Sequence, residues 1–190
     1  MVRSVTVLFC AGAVLFSSGC ALLTSPAYTE PAYYDLAAAD EKIPVSAAVE
    51  LGLFADRSGN GTRIVTRSAD GVKISFDEYN RFTASPALLV KRRLAVCFVP
   101  EKKLNSQKVT VSGELLRFEY LAGQKKVRAV IDYRLECSGN TVKIRQTLEE
   151  QCVSSGAAAA AGFEKCIVRS AKELAGEIDA FVKECAKEKK

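Results

Sequence analysis

Three consecutive stretches in the second half of the chain alternate apolar and polar residues, and short turns join them. Lys126–Cys137 is the cleanest: Val127, Ala129, Ile131, Tyr133 and Leu135 face one way, and Arg128, Asp132 and Arg134 the other. Strand side chains alternate between the two faces of a sheet, so this pattern specifies one buried face and one wet face. Lys108–Leu121 runs Val109, Val111, Gly113, Leu115 and then changes phase to Leu116, Phe118, Tyr120. One extra residue near Leu115 produces such a change, which predicts a β-bulge there. Ser138-Gly139-Asn140 reads as a hairpin turn leading into Thr141–Glu150. An antiparallel meander with one polar face needs a cover on the other face only. The end of the chain supplies it. Phe163, Ile167, Ala171, Leu174, Ile178, Val182 and Cys185 recur every three or four residues. They form the stripe of an amphipathic helix from about Gly156 to Lys187, with intramolecular packing favoured over a coiled-coil partner.

The first half is more broken. Tyr33-Tyr34-Asp35-Leu36 is a first strand, and Ile43–Phe54 a second, on the loose alternation of Val45, Ala47, Val49, Leu51 and Leu53. Asp56–Gly61 is a turn or loop. Arg63–Arg67 and Val72–Phe76 form a hairpin about Asp70-Gly71. Ser85 followed by Pro86 opens a helix to Phe98, since proline lacks an N–H that the first helical position does not need. Leu88, Leu89, Arg92 and Cys97 would share one side of it, and Pro100–Gln107 is a polar loop. The expected fold class is α+β: one domain, a largely antiparallel or mixed β-sheet, and two main helices, the long C-terminal one packed on the sheet.

The chain begins Met1-Val2-Arg3, runs through the apolar Val5–Phe16 and reaches Ser17-Ser18-Gly19-Cys20. About twelve apolar residues is well short of the roughly twenty that span a bilayer. A short basic start, a brief apolar run and small residues make a secretory signal peptide, and the Ser-Gly-Cys ending resembles a bacterial lipobox. That resemblance implies cleavage before Cys20, diacylglycerol on its sulfur, and an N-acyl chain such as palmitate on its freed amine. Residues 1–19 are then leader, 20–31 a lipid-anchored flexible tether, and 32–190 the domain. Ala21, rather than Asp, follows the cysteine, which favours the outer membrane, facing the periplasm, over the inner membrane.

Composition removes several chemistries. The 190 residues contain no histidine, which excludes Ser-His and Cys-His nucleophile activation and removes the commonest metal ligand. Basic residues exceed acidic ones by 27 to 22, without the basic stripe and interleaved aromatics of a nucleic-acid binder. No cofactor or metal site is expected. Beyond Cys20 the chain holds Cys97, Cys137, Cys152, Cys166 and Cys185, with no Cys-x-x-Cys. Cys166 and Cys185 share a helix roughly 28 Å apart at the standard rise and cannot bridge, whereas Cys152 with Cys166 or Cys97 is open. Buried, inert thiols are the default reading.

The order of landmarks resembles a known family. A lipobox cysteine is followed by Tyr33-Tyr34-Asp35-Leu36, an alternating strand and a hairpin ending near Arg67. Tyr79-Asn80-Arg81-Phe82 then leads through Ala84-Ser85-Pro86 into a helix. A meander and a helix with Leu174-Ala175-Gly176-Glu177-Ile178 close the chain. This looks like a divergent member of the ABC-type transport auxiliary lipoprotein family, the PqiC-like lipoproteins. Phe82 stands where that family usually has Trp, and Gly52-Leu53-Phe54 where it has a Pro-Tyr-Leu-like step. The resemblance implies a non-catalytic accessory or docking subunit of an MCE-type ABC lipid transport system. Its partner would be an MCE-domain protein, its membrane contact the lipid anchor, and a homo-oligomer one of its expected forms.

Tyr79, Asn80 and Phe82 are the candidate binding residues, as an aromatic-polar-aromatic loop; the favoured reading of the same residues is structural, with the aromatics plugging the core and Asn80 holding the turn before the helix. A different envelope adaptor, such as a secretin pilot or a cell-wall synthase activator, is the alternative function. An enzyme would have to use Glu114, Glu119, Asp132 and Glu136 on the meander as acid–base groups.

Overall fold

A computed structural model describes residues 28–36, 41–101 and 107–187; the expected leader 1–19 and Cys20 lie outside the described residues. Residues 31–190 form one compact unit. Its strands are β1 (Ala32–Tyr34), β2 (Ile43–Val45), β3 (Ala48–Asp56), β4 (Arg63–Arg67), β5 (Ile74–Phe82), β6 (Phe98–Pro100), β7 (Lys108–Leu121), β8 (Lys126–Cys137) and β9 (Asn140–Gln151). Its helices are α1 (Pro86–Cys97) and α2 (Ala157–Lys187). The fold class is α+β, a mixed sheet with two helices.

The meander β7-β8-β9 is antiparallel throughout, and the register between β7 and β8 slips between Leu115 and Arg117, where the phase change predicts a bulge. Cys137 pairs with Asn140, so the turn consists of Ser138 and Gly139 alone, both at positive φ. On its other edge β7 is flanked by two strands in succession. β3 runs parallel to Lys108–Leu115, and β4 parallel to Glu119–Leu121. β4 pairs antiparallel with β5, and the short β1 closes that side of the sheet, parallel to Asn80–Phe82. β2 and β6 form a separate parallel pair.

Ile43–Phe54 is therefore two strands rather than one. The break is at Ser46, whose N–H and hydroxyl both donate to Asp179 Oδ1 on α2 (2.9 and 2.7 Å). A second register slip between Leu51 and Phe54 turns Leu53 outward, leaving it 76% exposed. β5 begins at Ile74 instead of Val72 and runs on to Phe82, absorbing residues read as a loop. α1 buries Ala87, Leu89, Val90, Arg93, Leu94 and Cys97. Leu88 and Arg92 point away from that core, contrary to the expected face. At twelve residues and with apolar residues on every side, α1 has no clear stripe to read; its neighbours decide.

α2 lies against β8, β9 and β2, and α1 against β3 and α2. The buried set of α2 runs Phe163, Cys166, Ile167, Ser170, Ala171, Leu174, Ile178, Val182 and Cys185. Gly162 lets its first turns approach β8 closely: a Cβ there would lie 2.9 Å from a Val127 methyl. One polar cluster crosses this interface. The hydroxyls of Tyr133 and Ser170 are 2.7 Å apart, and Ser170 also meets the Gln146 side-chain carbonyl. All three are buried, so the network satisfies groups that would otherwise cost stability unpaired.

Cys97, Cys137, Cys152, Cys166 and Cys185 are all buried free thiols. Burial pushes the Cys97 thiol upward and that of Cys166 up to about 12. The nucleophile is the thiolate, so the native protein at pH 8 should leave Cys97 and Cys166 unlabelled by iodoacetamide. Both should react in urea, read by peptide mass. Rapid native labelling of Cys166 would contradict its packing.

Candidate functional site

Tyr79-Asn80-Arg81-Phe82 forms the end of β5, not a loop before α1. The ladder to β4 jumps here: Arg63 faces Arg81, but Val65 faces Phe76, so residues 77–80 bow away from their neighbour. Asp77 holds the bow. Its Oδ1 accepts the backbone N–H groups of Tyr79 (3.0 Å) and Asn80 (2.9 Å), and its Oδ2 the Asn80 side-chain amide (2.8 Å). Ser155 Oγ donates to the same Oδ2 at 3.3 Å. The Tyr34 hydroxyl donates to Asn80 Oδ1 at 2.9 Å. Gly156 sits beside this group at φ +71°, and a Cβ on it would come 3.0 Å from Asn80 Oδ1. Asn80 thus ties β1, the β5 bow and the approach to α2 together.

Phe82 points inward. It is 1% exposed, with ring centroids 5.5 Å from Phe118 and 5.9 Å from Phe163, which stack on each other at 3.8 Å. Its place in this cluster agrees with the favoured structural reading of Phe82 and not with a surface contact there, and Asn80 is occupied by its own network. Tyr79 alone of the three presents a largely free ring, 56% exposed.

Tyr79 has exposed company that the motif does not announce. β1 covers β5 only at Asn80–Phe82, so the outer edge of Ile74–Tyr79 carries no strand among the described residues. Ile74 and Phe76 are exposed along it, and Tyr33 is exposed on β1, opposite Arg81. The Arg63 guanidinium lies over the Phe76 ring, 4.2 Å from its centroid. An open strand edge bearing apolar and aromatic residues is a ready template for another chain. The available sequence signal was Ile74-Ser75-Phe76 in the second arm of a hairpin, but nothing local marks that arm as an edge.

The four carboxylates of the enzyme reading are spread along the meander, each beside an arginine. Glu119 is buried against Arg67 (2.8 Å), Glu136 faces Arg134 (2.7 Å), and Glu114 faces Arg57 (3.7 Å). Asp132 takes both forks of Arg145 at 2.6 Å, which holds its carboxyl below the usual range. Among the described residues no group of three or more Cys, Asp or Glu is placed to hold a metal ion. No helix among them is long and apolar enough to cross a membrane.

No family model matches the chain, and no curated protein sequence does either. Solved structures do. Protein XCC0632 from Xanthomonas campestris, of the family model DUF330, superposes with a TM-score of 0.58 at 16% identity, over 84% of this chain and 98% of that one. A second structure, of an uncharacterized protein, gives a TM-score of 0.52 at 16% identity, over 80% of this chain and 99% of that one. Nearly the whole of each neighbour is matched, so the chain shares their fold.

Proposed function

We propose that the protein is a non-catalytic accessory subunit of an MCE-type ABC lipid transport system, anchored through acyl chains on Cys20 to the outer membrane and facing the periplasm. The observation that carries the reading is the open edge of β5, with Ile74, Phe76 and Tyr79 exposed on it and Tyr33 exposed on the adjoining β1, beside a motif in which Phe82 is fixed in the core and Asn80 in its own hydrogen-bond network. An adaptor needs a rigid edge on which a partner strand can dock, and Asp77 and Asn80 fix the shape of this one. The lipobox-like Ser-Gly-Cys and the order of the family landmarks supply the membrane and the class of partner. A lipid anchor confines the search for that partner to the membrane surface.

The test is capture from detergent-solubilised membranes. The wild-type lipoprotein should bring down an MCE-domain protein. A Phe76→Ser/Tyr79→Ala double variant should recover about tenfold less, the equivalent of one lost hot-spot side chain, with its thermal midpoint little changed. Recovery of a secretin or a penicillin-binding protein instead would replace this reading with that of another envelope adaptor. Cys20→Ala should abolish membrane retention or block processing; normal retention would undo the anchor.

A further inference from the structure

The face of the sheet turned away from α2 carries a shallow trough of about 550 Å³. Four arginines line it, Arg57, Arg117, Arg128 and Arg145, together with Leu116, Val130 and Thr147, and no acidic residue does. We propose that this trough is an anion site for a phosphate group, whether carried by a lipid headgroup or free in solution.

The register shows how the arginines converge. Val130 on β8 lies opposite Arg117 on β7 and Thr147 on β9. Arg128 is two residues along β8 on the same face, and Arg145 two residues along β9. Strand neighbours are about 4.8 Å apart and same-face residues about 6.6 Å, so three arginine stems surround Val130 within the reach of their side chains. Arg57 follows β3, and its N–H donates to Leu115 O at 2.9 Å, bringing the fourth stem to the near edge of β7. The bulge matters here. Because the register slips between Leu115 and Arg117, both Leu116 and Arg117 face Val130, and the polar face gains a side chain that a regular strand would not give it.

The guanidiniums are partly pre-positioned and partly free. Arg128 holds Glu149 with Nε and Nη2, and Arg145 holds Asp132 with the same two nitrogens. Neither acid lines the trough, each pair orients its arginine, and no ion pair or hydrogen bond uses Nη1 of either among the described residues. Arg57 is held loosely by Glu114 at 3.7 Å. The Arg117 side chain makes no ion pair or hydrogen bond among the described residues. With the other three charges balanced by Glu114, Asp132 and Glu149, Arg117 supplies the excess positive charge, and the convergent forks favour a compact anion with several acceptor oxygens. Phosphate has that form and matches the guanidinium fork. This site is separate from the β5 edge and does not depend on the docking role.

The experiment uses the full mature chain with Cys20→Ala, so that its own lipid does not drive vesicle binding. It is titrated with inorganic pyrophosphate by calorimetry, and separately floated with phosphatidylcholine vesicles with and without phosphatidylglycerol. Arg117→Gln removes a charge that no fold contact uses. It should weaken binding about tenfold, one charge-assisted hydrogen bond's worth. Lys165→Gln removes the same charge from an exposed position on α2 and should change nothing. Binding to pyrophosphate that is lost with Arg117 assigns the free anion. Binding confined to phosphatidylglycerol vesicles, and lost in the same way, assigns the headgroup. Binding to neither probe, or equal losses in the two variants, overturns the proposal.

Discussion

Phe82→Ala should lower the unfolding free energy by about 3–5 kcal/mol, the range for emptying a fully buried aromatic site. The ring is enclosed by Phe118 and Phe163, so its loss leaves a hole between β5, β7 and α2 that stacked, rigid neighbours fill poorly. Against a typical total of roughly 5–15 kcal/mol, that is a large share, visible as a shifted urea midpoint. The same measurement separates the two readings of the motif. Tyr79→Ala, at an exposed ring, should move stability by no more than about 0.5 kcal/mol and yet reduce partner capture. If Phe82→Ala instead kept the wild-type midpoint and lost only capture, Phe82 would be a contact residue and the packing account wrong.

The contrast between Phe82 and Tyr79 also shows what a sequence can reveal. Period-two alternation in β8, the phase slip at Leu115, the Ser138-Gly139 turn and the stripe of α2 were all legible, because each is a long or local pattern set by backbone geometry. The division of Ile43–Phe54 was not. It depends on Asp179, 133 residues downstream of Ser46. Nor were the parallel ladders of β3 and β4 along β7, since pairing order is not written in either partner. At the candidate site the four motif residues were visible, but their division into core, network and surface was not. Aromatic residues on a short strand look alike until Phe118 and Phe163 close over one of them. The arginine trough was equally hidden: it assembles side chains from residues 57 to 145, each of which alone reads as an ordinary solvated charge.

Glu164→Gln should be the other severe variant, costing about 3 kcal/mol. Glu164 Oε1 lies 2.7 Å from Arg93 Nε, joining α2 to α1, with the arginine side chain 2% exposed and the glutamate 15%. Coulomb attraction in such a place is largely spent on taking the two charges out of water, so the intact pair adds little net stability. Removing one partner is different, because the guanidinium of Arg93 then remains buried with its main counter-charge gone, at a typical cost of 3–5 kcal/mol. Glu164 keeps some contact with water, which places the expected loss at the lower end. The pair joins the two helices directly, so α1 should loosen first, read as faster amide exchange there than in β8. The double variant Arg93→Met/Glu164→Leu fills the same space without charge and should return to within about 1 kcal/mol of wild type, as buried pairs replaced by apolar residues often do. A single variant with the wild-type urea midpoint would mean that water reaches the pair and screens it. A double variant as unstable as the single would mean that Arg93 is held in place by shape, not by charge, and that α1 needs its guanidinium plane to pack.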